Sequence, residues 1–431
     1  VRSDLRARNA HSRFYWFRFF LFLDAPARLS LFSNAILAGA ICLLHGLPWY
    51  LPVESRLKVP HISGLIEPIR LRLELGESMS AWLSVLSLAI SAGVLLLLDL
   101  IVCAFARYKK HHHASLASQI ITMQIPRLLV SIACALLAAF GNSFSALCSI
   151  YLYVALQTLG TALYLKGFWF ETGAAAVRIT RREIFSPKIN RPINFAHLSD
   201  IHLDRRGVRE DFALRRLAAE APDFIVITGD YLNLSNVEDP ESHRQLIALL
   251  NEMGSIAPVL AVAGTASTDR RALLEKLFQQ TFNVRLIRDE SILLPDVSLN
   301  IIGLDCDHHP VVDPGVYHHL IQSSESASDT FRKSFSLLLY HSPELMPHFK
   351  NRPPDLYLCG HTHGGQIRIP GMKALYTSSS TGRKYDRGYF EDCGTRLYIN
   401  SGLGLEGKSA PRMRLFCPPE LCFWRINNSG S

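Results

Sequence analysis

The sequence predicts an α-helical membrane bundle followed by an α/β domain, and three observations predict it. Long uncharged apolar runs are confined to the first 170 or so of the 431 residues. Beyond them, short apolar strands alternate with amphipathic helical segments. Several of those strands end in a small polar cluster that carries Asp or His.

The bundle comes first. No charged side chain occurs from Ser78 to Leu98 or from Leu128 to Leu165, and a crossing of the hydrocarbon core needs about 20 apolar residues. With an earlier stretch, these runs predict four membrane helices near 29–48, 79–103, 122–141 and 144–166, within an N-terminal region 1–170. A buried helical bundle in water is the alternative, but soluble helices of this length usually show a polar face. Asp99 is expected to face other helices or the interface, and Arg127, after Pro126, to snorkel. FYWFRFFLFL, from Phe14, reads as an aromatic interfacial helix.

Basic residues orient this bundle. Arg2, Arg6, Arg8, Arg13 and Arg18 precede it, Arg107, Lys109 and Lys110 fill the second loop, and Lys166, Arg178, Arg181 and Arg182 follow the last helix. The loop around Asn142 has no charge, whereas Arg56, Lys58, Arg70 and Arg72 in the first loop fit the pattern less well. Both termini are expected in the cytoplasm. His111-His112-His113 reads as a solvated juxtamembrane face. The net charge of +8 suits anionic headgroups, since no nucleic-acid motif accompanies it. Val1 in place of Met suggests either a trimmed start or a bacterial GTG start. Cys306, Cys359, Cys393, Cys417 and Cys422 show no regular spacing, as expected of free thiols in a reducing compartment.

Residues 171–191 form a linker and first strand, with VRITRREI alternating from Val177, and the α/β domain spans 192–424. INFAHLSDIHLD, DFIVITGDYLN, PVLAVAGTAST, FSLLLYHSPEL and DLYLCGHTHGG each read as a strand running into a polar end. REDFALRRLAAEAPD and ESHRQLIALLNEMGS have helical spacing between them. Ligands of such folds gather at the carboxyl ends of strands. Asp200 and His202, spaced i, i+2, would face one way on an extended segment, as would His361 and His363. Asp230 follows the second of these strands and His341 the fourth. Carboxylates and imidazoles gathered on one edge suit two divalent first-row ions, with one aspartate able to bridge them.

At this point the residues resemble the calcineurin-like metallophosphoesterase superfamily, in the order DIH, GD, H and GHTHGGQ, over about Pro192 to Glu420. The closing SGLGLEGKSAPRMRLFCPPEL is similar to the tail of its membrane-attached bacterial branch. The resemblance implies a β-sandwich with helices on both faces. It implies a first ion held by Asp200, His202, Asp230 and His363, and a second by Asp230, His341 and His361. Manganese is the first choice of metal, with iron, zinc or magnesium as alternatives. One block departs: where the family has Gly-Asn-His-Asp, this chain has Gly264-Thr265-Ala266-Ser267. Thr265 replaces a ligand of the second ion, Ala266 the histidine that contacts phosphate, and Ser267 the aspartate that orients it. The expectation is one tight ion and one weaker. Asp269 is near enough in sequence to be a substitute.

His308-His309 and His318-His319 are placed in a loop over the site, where substrate contact is open to His308 and His309. His197 is read as a packed strand residue. The resemblance implies a membrane-anchored hydrolase of a phosphoester or phosphoanhydride. Its substrate would be a phospholipid or lipid-linked nucleotide, specifically UDP-2,3-diacylglucosamine in lipid A synthesis. The domain would then lie on the cytoplasmic side of the bacterial inner membrane. The degenerate block leaves a catalytically silent metal-binding membrane module as the other reading.

Overall fold

The computed structural model describes residues 90, 92–101, 116–140, 143–171, 173–349, 352–406 and 412–429. They fall into two compact units that part after Phe168. The expected helix 29–48, most of 79–103, the interfacial segment from Phe14 and His111-His112-His113 lie outside the described residues.

The first unit contains helical residues 92–101, α1 (Leu116–Phe140) and α2 (Ser143–Leu165). Among the described residues, no helix is long and apolar enough to cross a membrane. The polarity of the unit is nevertheless inverted. Asp99, Gln124, Arg127 and Gln157 are buried, whereas Leu129, Leu137, Val94 and Val154 are more than half exposed. Arg127 does not snorkel. Its guanidinium donates to both carboxylate oxygens of Asp99, at 2.8 and 2.9 Å, and to the Gln157 side chain and Thr161. Two buried charges that satisfy one another cost far less than either alone.

The second unit is a sandwich of two six-stranded sheets. One has the order β1 (Arg178–Ser186), β12 (Glu420–Asn428), β2 (Ile193–Leu198), β3 (Phe224–Ile227), β4 (Val259–Ala261), β5 (Val284–Leu286). The other runs β10 (Gly388–Asp392), β11 (Thr395–Ile399), β9 (Leu356–Cys359), β8 (Phe335–Leu339), β7 (Leu299–Gly303), β6 (Glu290–Leu294). β2 to β5 are mutually parallel, as are β7, β8, β9 and β11. Parallel strands covered on both faces read as unbroken apolar runs, and FIVI of β3 and LYLC of β9 are fully buried.

Phe195, Val226, Leu337, Leu358 and Trp424 share the core between the sheets. The outer face of the first sheet packs on α3 (Val208–Glu220), α4 (Pro240–Ile256) and α5 (Arg271–Phe278) through Leu217, Leu249, Met253 and Leu277. The outer face of the second packs on α6 (Val312–Ala327) through Val316, Tyr317 and Ile321. Helices thus lie on both faces of the sandwich, as expected. The start of α4 is written locally: Pro240 fixes the first turn and Asp239 accepts the Ser242 N–H at 2.9 Å.

Candidate metal centre

Each chemistry-bearing side chain lies just beyond the carboxyl end of a parallel strand. Asp200 and His202 follow β2, Asp230 follows β3, Thr265 follows β4, His308 follows β7, His341 follows β8, and His361 and His363 follow β9. Neither spaced pair is extended. Asp200, His202, His361 and His363 all have φ between 41° and 70°, so extended alternation does not set their directions, although Asp200 and His202 do converge on one group as expected. The strands end first, and left-handed turns aim the side chains. His361 and His363 consequently part, one to each of two groups.

The groups are Asp200, His202 and His363, and Asp230, His341 and His361, all buried. In the first, the His202 and His363 Nε2 atoms are 3.0 Å apart and Asp200 Oδ1 lies 3.3 Å from His363 Nε2. In the second, His361 Nδ1 lies 3.2 Å from His341 Nε2. Asp230 Oδ2 joins them, 3.5 Å from His202 Nε2 and 3.3 Å from His341 Nε2. Imidazole nitrogens crowded this closely can share one hydrogen bond at most, and nitrogen and carboxylate donors are what a first-row divalent ion takes. His341 Nδ1 is 2.7 Å from the Thr228 carbonyl, which fixes its hydrogen there and turns Nε2 inward.

The electrostatics agree. Burial pushes His202 down to about 4 and holds His361 and His363 well below the usual histidine range. Burial also lifts Asp200 to about 6. His341 is the exception: burial opposes its charge, but the Asp230 carboxylate prevails and raises it to about 10. Without a metal, a proton on His341 neutralises Asp230. A cation bound there would displace it, so metal affinity rises with pH.

The altered block keeps its backbone role. The Thr265 N–H and Thr268 hydroxyl donate to Asp230 Oδ1 at 2.7 and 2.6 Å. Asp269 is not a substitute ligand. It accepts the backbone N–H groups of Asp230, Tyr231 and Gly264, and so clamps two strand ends together. Ala266 is exposed at the rim.

Other expectations change as well. His309 accepts the N–H groups of Val311 and Val312 and caps the start of α6, away from the site. His318 and His319 are exposed residues of α6, not of a loop over the site. His308 does reach it: its ring centroid is 4.5 Å from that of His361. His197 is fully buried beside the Thr228 hydroxyl, as a packed strand residue should be. Sequence reasoning missed Glu406, whose Oε2 is 3.5 Å from His363 Nε2, and Glu344, which is paired with His308. The only sequence signal for Glu344 is its place three residues after His341.

A two-sheet sandwich with paired buried metal groups at its strand ends is the frame of a metal-dependent phosphoester or phosphoanhydride hydrolase, and the family match and sequence relatives agree. Residues 193–365 match the calcineurin-like phosphoesterase family. It is 25% identical to the UDP-2,3-diacylglucosamine pyrophosphatase LpxG of Chlamydia muridarum, over 54% of this chain and 86% of that protein. It is 26% identical to the uncharacterized metallophosphoesterase YkuE of Bacillus subtilis, over 63% of this chain and 90% of that one. A dimetal phosphatase from Danio rerio aligns with 49% of this chain and 88% of its own, at 12% identity and a TM-score of 0.31.

Proposed function

We propose that the chain is a membrane-anchored hydrolase of a nucleotide-diphospho-lipid, UDP-2,3-diacylglucosamine being the specific candidate. Cleavage of the anhydride would release a lipid monophosphate and UMP. The observation that carries this is the pair of metal groups joined by Asp230 Oδ2. In this reading Asp200, His202, Asp230 and His363 hold one divalent ion and Asp230, His341 and His361 the other, with manganese the first choice.

When bound, the ions supply Lewis-acid polarisation of a phosphoryl oxygen and activation of water. The chain's own contribution is to fix the donors and bury them. Asp230 is held by Thr265 and Thr268, Asp200 by the His361 N–H, and His341 by the Thr228 carbonyl.

The block at 264–267 supports an anhydride over an alkyl ester. An alkoxide leaving group needs a proton donor, which Ala266 cannot be. A phosphate leaving group has a second pKa near about 6 and departs unaided. The relatives named UDP-2,3-diacylglucosamine pyrophosphatase fit that chemistry. The inverted polarity of the helical unit supports a lipid surround, and the basic clusters favour termini and phosphoesterase domain on the cytoplasmic side of a bacterial inner membrane.

The test is a panel of esters and anhydrides given to the full chain in detergent with manganese. A nucleotide-diphospho-lipid or aryl ester should be preferred to an alkyl phosphate. Ala266→His should raise the alkyl rate by up to about 100-fold, the lower end of general-acid catalysis, and the anhydride rate much less. Equal low activity on both classes, unmoved by the substitution, would favour the silent module. Efficient alkyl cleavage by the unaltered chain would sink the leaving-group argument.

A further inference from the structure

The second metal group has three donors, and the family's fourth is replaced by Thr265. The Thr265 hydroxyl marks where that fourth donor is wanted, 3.4 Å from Asp230 Oδ2 and 3.3 Å from His341 Nε2. A third side chain faces the same point: His308 Nε2 lies 3.5 Å from Thr265 Oγ1. His308 comes from the end of β7, a strand that contributes no other residue to the two groups.

The other side of the His308 ring is fixed. Its Nδ1 lies 2.9 Å from Glu344 Oε2, while Glu344 Oε1 accepts the Ser380 N–H at 2.7 Å. A carboxylate accepts on both oxygens, so the hydrogen of this pair sits on His308 Nδ1. With its hydrogen held at Nδ1, Nε2 is the ring nitrogen free to ligate. The Thr265 hydroxyl and the Cys306 thiol lie 3.5 Å from Nε2, and neither requires a hydrogen there. A histidine whose outer nitrogen is held by a carboxylate and whose inner nitrogen faces other metal donors is arranged as metal-ligating histidines are. His308 also falls in a third potential metal-binding group, with Glu344 and His361, which shares His361 with the second.

We infer that His308 is the missing ligand of the second metal ion, with Glu344 its orienting carboxylate, so that both sites are complete despite the altered block. This rests on the dimetal reading above and deepens it. The ligand class is unchanged, a divalent first-row cation, but three imidazoles and one carboxylate make the second site richer in nitrogen than an asparagine-containing one. Such a set favours ions that prefer imidazole, zinc or iron, over magnesium. The expectation of one tight and one weak ion, drawn from the missing asparagine alone, is replaced by two firmly held ions.

The test is metal binding, not turnover. The full chain in detergent is stripped with chelator and titrated with Mn2+ and with Co2+, and bound ions are counted by elemental analysis. Co2+ visible absorption reports the nitrogen ligands. The unaltered chain should hold two equivalents. His308→Ala should weaken one equivalent at least tenfold and change the Co2+ spectrum of that equivalent only. Glu344→Gln should weaken the same equivalent by about 10- to 100-fold, the usual effect of losing an orienting partner. Thr265→Ala should change affinity less than threefold, and His363→Ala should weaken the other equivalent. Should His308→Ala unfold the chain, Glu344→Gln and His308→Gln carry the test. Two equivalents unaffected by either substitution at His308 would overturn the assignment, as would one tight equivalent in the unaltered chain. No bound ion at all would instead overturn the dimetal reading.

Discussion

A single methyl group at Gly360 should dismantle the first metal site. A Cβ built there would lie 2.0 Å from Asp200 Oδ2, 2.0 Å from Ser199 Oγ and 2.7 Å from Ser199 Cβ. Ordinary contact begins at 3.4 Å, so the Asp200 carboxylate would have to retreat by roughly 1.4 Å. Donor positions must hold to about 0.5 Å for a site to work. The shift therefore removes Asp200 as a ligand and strains the His361 N–H that bonds both its oxygens at 3.1 Å. Overpacking of this kind costs about 1–3 kcal/mol of fold stability. A hundredfold loss of metal affinity removes about 2.7 kcal/mol more of the stabilisation that saturating metal confers.

The assay is thermal unfolding of Gly360→Ala with and without manganese, alongside elemental analysis after dialysis. Gly173→Ala, with nothing within 4 Å of its Cβ, is the control. The variant should lose the first equivalent and most of the metal-dependent rise in Tm, and the control neither. Full occupancy with an undiminished metal-dependent rise would refute the placement of Gly360 against a ligand.

Two further outcomes are expected. Burial holds His197 down to about 3, so it is neutral in the fold while an unfolded histidine gains a proton near about 6.5. Its contribution is complete above that pH and is lost as pH falls toward 3, at about 1.4 kcal/mol per unit. Denaturant unfolding across this window should show a shallower acid loss for His197→Gln, and an identical slope would remove His197 as the cause. In the helical unit, Arg127→Met leaves Asp99 buried without its partner and should cost about 3–5 kcal/mol. Thermal unfolding in detergent measures it; Asp99→Leu with Arg127→Met should recover most of the loss, and no recovery would show that the pair is not the source.

The strand ends were legible because an apolar run halted by a small polar cluster is a local pattern. What eluded the sequence is what local pattern cannot carry. β12 pairs with β1 across some 240 residues, and neither segment says so. β4 and β5 are three residues each, too short for a period to show. His309 and Asp269 are polar residues near the site whose side chains serve backbone N–H groups, a distinction only coordinates make. Arg127 reads as a liability in an apolar helix until Asp99, 28 residues away, is found beside it. His308 and His309 are neighbours in sequence with opposite fates, because one residue of left-handed backbone at His308, φ 53°, turns its ring inward.

That backbone conformation recurs at Asp200, His202, Asp230, His361 and His363. Non-glycine residues in such regions cost about 1–3 kcal/mol each and persist only where their surroundings over-determine them. Here the surroundings do so: Asp269 ties three backbone N–H groups, Asp200 accepts the His361 N–H, and Gly264 and Gly360 leave room for the carboxylates. Thr265 and Thr268 still grip Asp230, although the asparagine and histidine expected in that loop are gone. The altered block therefore lacks the expected histidine and one expected donor but keeps its hold on Asp230. Bound cations would offset the strain further, by interacting with donors that this conformation brings together. Grouped metal donors beside a loop without the expected histidine are what the proposed anhydride hydrolase, whose leaving group departs without protonation, would need.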